Sequence, residues 1–156
     1  MASEPHIGTL GERSLHAALK EWYAQPGDRF EVRVDDYVID IVRGDLLIEI
    51  QTRGFAAMKR KLAALTRGHP VRVVHPIAAE KWIVKLASDG RTTLDRRRSP
   101  RRGSILDMFR ELVSLPHLIP RTTLSLEVVL TREEEVRLND GRGSWRRGGW
   151  SIVDRR

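Results

Sequence analysis

The chain has 156 residues, no cysteine and a formal net charge of +7, which is length enough for one domain to bury a core without cross-links. The missing cysteines exclude disulfide frameworks, thiolate metal sites and cysteine nucleophiles. No apolar run nears the roughly 20 residues of a membrane-spanning helix, and Met-Ala-Ser-Glu-Pro-His at the start lacks the basic flank and apolar stretch of a signal peptide, so the expectation is a soluble, cytoplasmic protein.

The charge is lopsided. Residues 1–90 carry 13 Lys and Arg against 12 Asp and Glu, and residues 91–156 carry 15 against 9. A local basic excess points to a polyanion, nucleic acid first. An arginine-rich solvated surface is the plainer reading, since all five lysines fall at or before Lys85 while Arg runs throughout.

In chain order, residues 8–25 read as a helix. Thr9 and Glu12 stand at capping-box spacing, Leu15, Ala18, Leu19 and Trp22 form the apolar stripe, and Gln25-Pro26-Gly27-Asp28 ends it. Phe30–Val34 alternates as a strand, and Asp35-Asp36 makes a turn. Residues 37–52 then form a hairpin about Arg43-Gly44-Asp45. Gly54 precedes a helix over Phe55–Arg67, with apolar positions Phe55, Met58, Leu62 and Leu65 and Gly68 as its cap. Val71–Ile77 is a strand rich in β-branched residues. The crossover through the helix predicts that it lies parallel to the hairpin's second arm.

Glu80–Leu86 reads as another strand, Asp89-Gly90 as a turn and Arg91–Leu94 as a returning arm. Residues 95–104, with five arginines in seven positions, read as a loop or mobile segment. Ser104 caps a helix over Ile105–Leu115 whose stripe is Ile105, Leu106, Phe109, Leu112 and Val113. Leu124–Arg132 is a strand, Glu133-Glu134-Glu135 a solvated acidic patch, and the remainder a tail of Gly, Arg and Trp. The predicted class is α/β, a mixed central sheet flanked by helices, with a core over 1–94 and a basic α+β extension over 95–156.

The hairpin holds the chemistry. Asp40 lies between Ile39 and Ile41, and Glu49 between Ile48 and Ile50. A carboxylate inside an apolar strand costs several kcal/mol unless it is paired or holds a metal. Two on adjacent strands can converge on a hard cation such as Mg2+ or Mn2+; the plain alternative is a pair of edge-strand acids facing water. Glu12 is either a cap or a first-turn carboxylate able to reach such a site. Arg96, Arg97, Arg98, Arg101 and Arg102 can track a phosphate backbone. Trp145 and Trp150, interleaved with Arg146 and Arg147, can stack on bases or simply pack. The five histidines show no ligand spacing.

Glu12 on a first helix, Asp40 on one strand, and Glu49-Ile50-Gln51 on the next before a helix resemble the PD-(D/E)xK nuclease superfamily, in particular its branch of archaeal Holliday-junction resolvases and Mrr-like endonucleases. The resemblance covers about residues 8–77. It implies a restriction-endonuclease-like fold and a metal-dependent endonuclease that hydrolyses DNA, duplex or branched, leaving a 5′-phosphate. It implies Asp40 and Glu49 as ligands of Mg2+ or Mn2+, Glu12 as an outer ligand, and a homodimer. The position two after the strand acid is ordinarily lysine and here is Gln51, which orients water but cannot act as a base. In some members that lysine has moved to the following helix, where Lys59 is the better candidate than Lys61 because it lies nearer the helix start. Gln51 also leaves open a catalytically inactive nucleic-acid-binding or adaptor module on the same fold. A subunit whose basic loop meets an acidic protein is a third option. The close on Arg155-Arg156 suggests a chain cut from a longer one.

Overall fold

The computed structural model describes residues 13–156. Along them run α1 (Arg13–Tyr23), β1 (Arg29–Val34), β2 (Tyr37–Arg43), β3 (Leu46–Ile50), α2 (Lys59–Leu65), β4 (Val71–Leu86), β5 (Thr93–Arg98), α3 (Met108–Leu112), β6 (Leu124–Asn139) and β7 (Trp150–Arg155). The strands form a sheet in the order β1-β2-β3-β4-β6-β7, with β5 paired to β4. β1, β2 and β3 are antiparallel neighbours, while β3 and β4 run parallel. The chain is thus mixed α/β, and the order helix, strand, strand, strand, helix, strand is the one that the hydrophobic pattern predicts. Asp35 (φ 51°) and Gly44 (φ 57°) make the two tight reversals possible, Asp being one of the few side chains that tolerate that region.

The chain gathers into two compact units. A helical unit comprises Leu19–Ile77 and Ser104–Leu130, and a strand unit comprises Ala78–Gly103, Thr131–Arg156 and the described residues up to Ala18. In the helical unit, Phe55 and Met58 on a 3-10 turn, then Leu62 and Leu65 on α2, pack with Ile39, Val42, Leu47, Val71 and Val73 of the sheet and with Met108, Leu115 and Leu118. Leu47, Ile48, Glu49 and Ile50 are all buried. Successive strand residues point to opposite faces, so β3 is covered on both. Arg43 ties the end of β2 to the end of α1. Its Nε and Nη2 donate to the two oxygens of Asp28 at 2.9 and 2.8 Å, and Nη2 also donates to the Tyr23 carbonyl. That fork holds the Asp28 carboxyl below its usual range.

Several elements differ from the sequence reading. β4 is one strand through Pro76, whereas the expectation was two. Pro76 falls between the β3 register, which ends at Val74, and the β5 register, which begins at Trp82, so its missing N–H costs neither ladder a bond. The arginine run is not all loop, because Arg96, Arg97 and Arg98 belong to β5. The apolar stripe of the third helix is rotated. Met108 is buried, while Ile105, Leu106, Phe109 and Val113 are exposed, as is Trp22 of α1. β6 continues to Asn139, and the acid triplet lies within it. Glu133 and Glu135 are buried, which corrects the solvated-patch expectation. The Glu135 oxygens sit 2.6 Å from Arg137 Nη2 and 3.4 Å from Lys81 Nζ. Burial pushes its carboxyl up, but the two cations outweigh that and leave it below the ordinary range. The tail becomes β7, antiparallel to β6.

Phe55 is fully buried and Phe109 is 65% exposed. Phe55→Ala is therefore expected to cost about 3–5 kcal/mol, and Phe109→Ala to stay within about 0.5 kcal/mol. Urea-unfolding midpoints of the two variants check the assignment of the core.

Candidate functional site

Asp40 and Glu49 come together because β2 and β3 pair with Ile41 opposite Ile48. The same register carried one residue further sets Asp40 across from Glu49, on the face that Leu47 shares with Val71 and Val73. That face packs on α2. Asp40 Oδ2 accepts the Ile50 backbone N–H at 2.9 Å, and Glu49 is 7% exposed.

The cation beside Glu49 is Lys61. Its Nζ is 2.7 Å from Glu49 Oε2 and also donates to the Val38 carbonyl at 2.7 Å. Glu49 Oε1 is buried with no hydrogen-bond partner. Burial raises the Glu49 carboxyl above its ordinary value. Lys61 and, more weakly, the Asp40 backbone N–H pull it back, Asp40's charge adds to the rise, and the rise prevails. Lys59, one residue into α2, is exposed. Helical spacing explains why Lys61 is the one that reaches the sheet. It stands three after Met58 and four before Leu65, both of which are core positions.

Gln51 follows β3. Its Nε2 donates to the Gly54 carbonyl at 3.0 Å, and its own carbonyl accepts from His75 Nδ1 at 2.6 Å. The His75 ring meets Phe55 edge-on at 5.0 Å, and Glu111 Oε2 accepts the Phe55 N–H at 2.9 Å. The loop after β3 is thus pinned at both ends. Glu12 lies outside the described residues. Among the described residues no group of three or more His, Cys, Asp or Glu could hold a metal ion, so Asp40 and Glu49 are a two-carboxylate set.

The predicted phosphate-binding arginines belong to the strand unit. Arg96 donates through Nε and Nη2 to Glu134 Oε1 at 3.1 and 3.0 Å and lies over the Trp82 ring at 4.2 Å. Arg98 pairs with Glu80. Arg97, Arg101, Arg102, Arg146 and Arg147 are exposed. Trp145 is 85% exposed, whereas Trp150 packs under Lys85 at 4.9 Å.

The raised Glu49 carboxyl gives a signed pH dependence. Between the ordinary carboxylate value and Glu49's higher one, the native state keeps a proton that the unfolded chain has released. The stability contributed by this group therefore falls as pH rises through that window. The unfolding free energy of the parent relative to Glu49→Gln is expected to decline from about pH 4 upward, and Lys61→Met to make the decline larger, because its ammonium no longer opposes it. Urea midpoints of parent, Glu49→Gln and Lys61→Met at stepped pH test this; a difference that rises with pH would mean Glu49 is held ionised.

A family profile described as a domain of unknown function, DUF8091, matches residues 13–156. The chain is 34% identical over 151 residues to an uncharacterized protein of Treponema pallidum (strain Nichols), covering 96% of this chain and 60% of that protein, so it spans well under two thirds of the relative's length. No solved structure matches it. No helix among the described residues is long and apolar enough to cross a membrane. On the strength of a profile match running from Arg13 to Arg156, the chain belongs to the DUF8091 family.

Proposed function

We propose that the protein is a metal-dependent endonuclease that hydrolyses phosphodiester bonds in DNA, built on a restriction-endonuclease-like fold. The observation that carries this reading is Glu49. It is a carboxylate buried on a strand, beside Asp40 on the neighbouring strand, with Lys61 Nζ on one oxygen and nothing on the other. An orphaned buried oxygen costs about 1–3 kcal/mol, and a fold that keeps one beside a second carboxylate suits a hard cation. The donor set fits such an ion, with Asp40 and Glu49 as its protein ligands. When bound, Mg2+ or Mn2+ would supply an acidified water and charge against the phosphoryl oxygens.

The remaining roles fall to the chain's own groups. Lys61 brings positive charge and N–H donors to the carboxylate pair. Gln51, held at its amide nitrogen by Gly54, has an amide oxygen able to accept from a water. Lys59 adds charge from the exposed side of α2, and Glu12 is the outer ligand that the family pattern implies. Arg96, Arg97, Arg98, Arg101, Arg102, Arg146 and Arg147 supply the attraction for DNA.

A second reading has its own observation. Lys61 already answers Glu49 without any metal ion, and Asp40 Oδ2 takes a backbone N–H, so the same residues suit a catalytically inactive nucleic-acid-binding or adaptor module. Labelled linear, nicked and four-way-junction DNA incubated with Mg2+ or Mn2+ separates the two. The nuclease cuts at least one of them, and Asp40→Asn and Glu49→Gln each lower the rate by at least about 100-fold, equivalent to about 2.7 kcal/mol. The metal also raises the melting temperature of the parent and not of Asp40→Asn. Binding without cutting or metal-dependent stabilisation leaves the binding module.

A further inference from the structure

The strand unit carries an arrangement of charge that the Asp40–Glu49 site does not use. Pairing of β4 with β5 sets Trp82 opposite Arg98 and Val84 opposite Arg96, so these four share a face, together with Glu80 two residues before Trp82. β6 adds Arg132 and Glu134, and the end of the chain adds Arg156. Glu80 Oε1 is 3.4 Å from Arg98 Nη2, and its Oε2 is 3.7 Å from Arg132 Nε. Glu134 Oε1 takes Arg96, and its Oε2 takes Nε and Nη2 of Arg156, each at 3.1 Å. Each carboxylate is therefore divided between two guanidiniums.

Two features follow. Four arginines against two glutamates leave this cluster with an excess of two positive charges. Each guanidinium has five N–H donors, and these pairs engage no more than two of them. The side chains of the four arginines remain 46% to 87% exposed. The glutamates hold the guanidinium planes in place before any ligand arrives, which lowers the ordering cost of binding. Trp82 backs Arg96 from beneath. Arg96 and Arg98, two residues apart on one strand face, are spaced by about 7 Å, roughly two axial rises of a nucleic-acid strand.

We propose that this face docks the sugar-phosphate backbone of a nucleic acid. Arg98, Arg132 and Arg156 contact phosphates, and Arg96, stiffened by Trp82, presents its plane to a phosphate or an unstacked base. The choice of nucleic acid rests on the reading above, whereas the face itself does not depend on catalysis.

Fluorescence anisotropy of labelled duplex and single-stranded oligonucleotides, with the full chain, no divalent ion and a series of salt concentrations, tests it. The parent is expected to lose affinity with a log–log salt slope of about −3 to −4, as four backbone contacts require. Arg132→Gln, whose side chain is 87% exposed with one partner at 3.7 Å, should keep the parent's melting temperature and lower the slope by about 1. Arg98→Gln combined with Arg132→Gln should lower it by about 2. Arg110→Gln on α3, whose side chain is 86% exposed with one partner at 3.7 Å, should leave it unchanged. Slopes equal to the parent's in the Arg98 and Arg132 variants would overturn the proposal. So would an Arg110→Gln loss as large as theirs, or binding to anionic phosphatidylglycerol vesicles or to polyglutamate but not to oligonucleotides. Reduced slopes in a protein that cuts nothing would remove only the nuclease reading, and cutting with unchanged slopes would remove only this face.

Discussion

Glu49 sits on a strand whose two faces are both covered, so its charge has to be answered from within the fold. Lys61 answers it, and that contact fixes the rotation of α2 on the sheet. With Lys61 Nζ held between Glu49 and the Val38 carbonyl, Met58, Leu62 and Leu65 come down on Val71 and Val73 of β4 and on Leu47 of β3. The 3-10 turn before α2 follows, because Phe55 has to fill the space beneath it while Glu111 takes its N–H. A lysine in this place serves two ends. The long stem of a lysine can lie along apolar surface, and here its ammonium reaches a carboxylate that the stripe covers.

Glu49 and the acids of β6 are settled differently. Glu134 and Glu135 each have two cationic partners, and both carboxyls are held below their ordinary range. Glu49 has one cation, one orphaned oxygen and an acidic neighbour, and its carboxyl is held above. The first arrangement stabilises the charged form at neutral pH. The second leaves part of the cost of burial unanswered, and it is this imbalance that makes the β2–β3 hairpin a candidate for chemistry while the acid triplet of β6 is architecture.

Much of the helical unit was legible in the residues. Apolar runs on either side of Arg43-Gly44-Asp45 specify a hairpin, Gly54 and the three-and-four spacing from Phe55 specify a helix, and the crossover specifies a parallel return. Asp40 and Glu49 stood out because acids between isoleucines break the pattern. In the run of three basic residues Lys59 was preferred for its place at the helix start, whereas the residue beside Glu49 is Lys61, whose spacing from Met58 and Leu65 turns it to the sheet. The strand unit was harder, since its cues were charges. Glu133-Glu134-Glu135 and the arginine run look like solvated segments in one dimension. The triplet and Arg96–Arg98 lie in strands, and part of their charge is answered at long range, by the pairing of Arg96 with Glu134, residues 38 apart, that no local pattern announces.

β5 has a further consequence. Among the described residues it pairs only with β4, which leaves a row of backbone donors and acceptors along its other side, the usual template for edge-to-edge aggregation. Three of its six residues are arginine. Two copies meeting there would set guanidinium against guanidinium, so the charge keeps the molecules apart while it remains unscreened. Concentrated salt, or a polyanion too short to cover the whole strand, would lift that guard, and storage of the protein at low ionic strength should therefore favour the dispersed form.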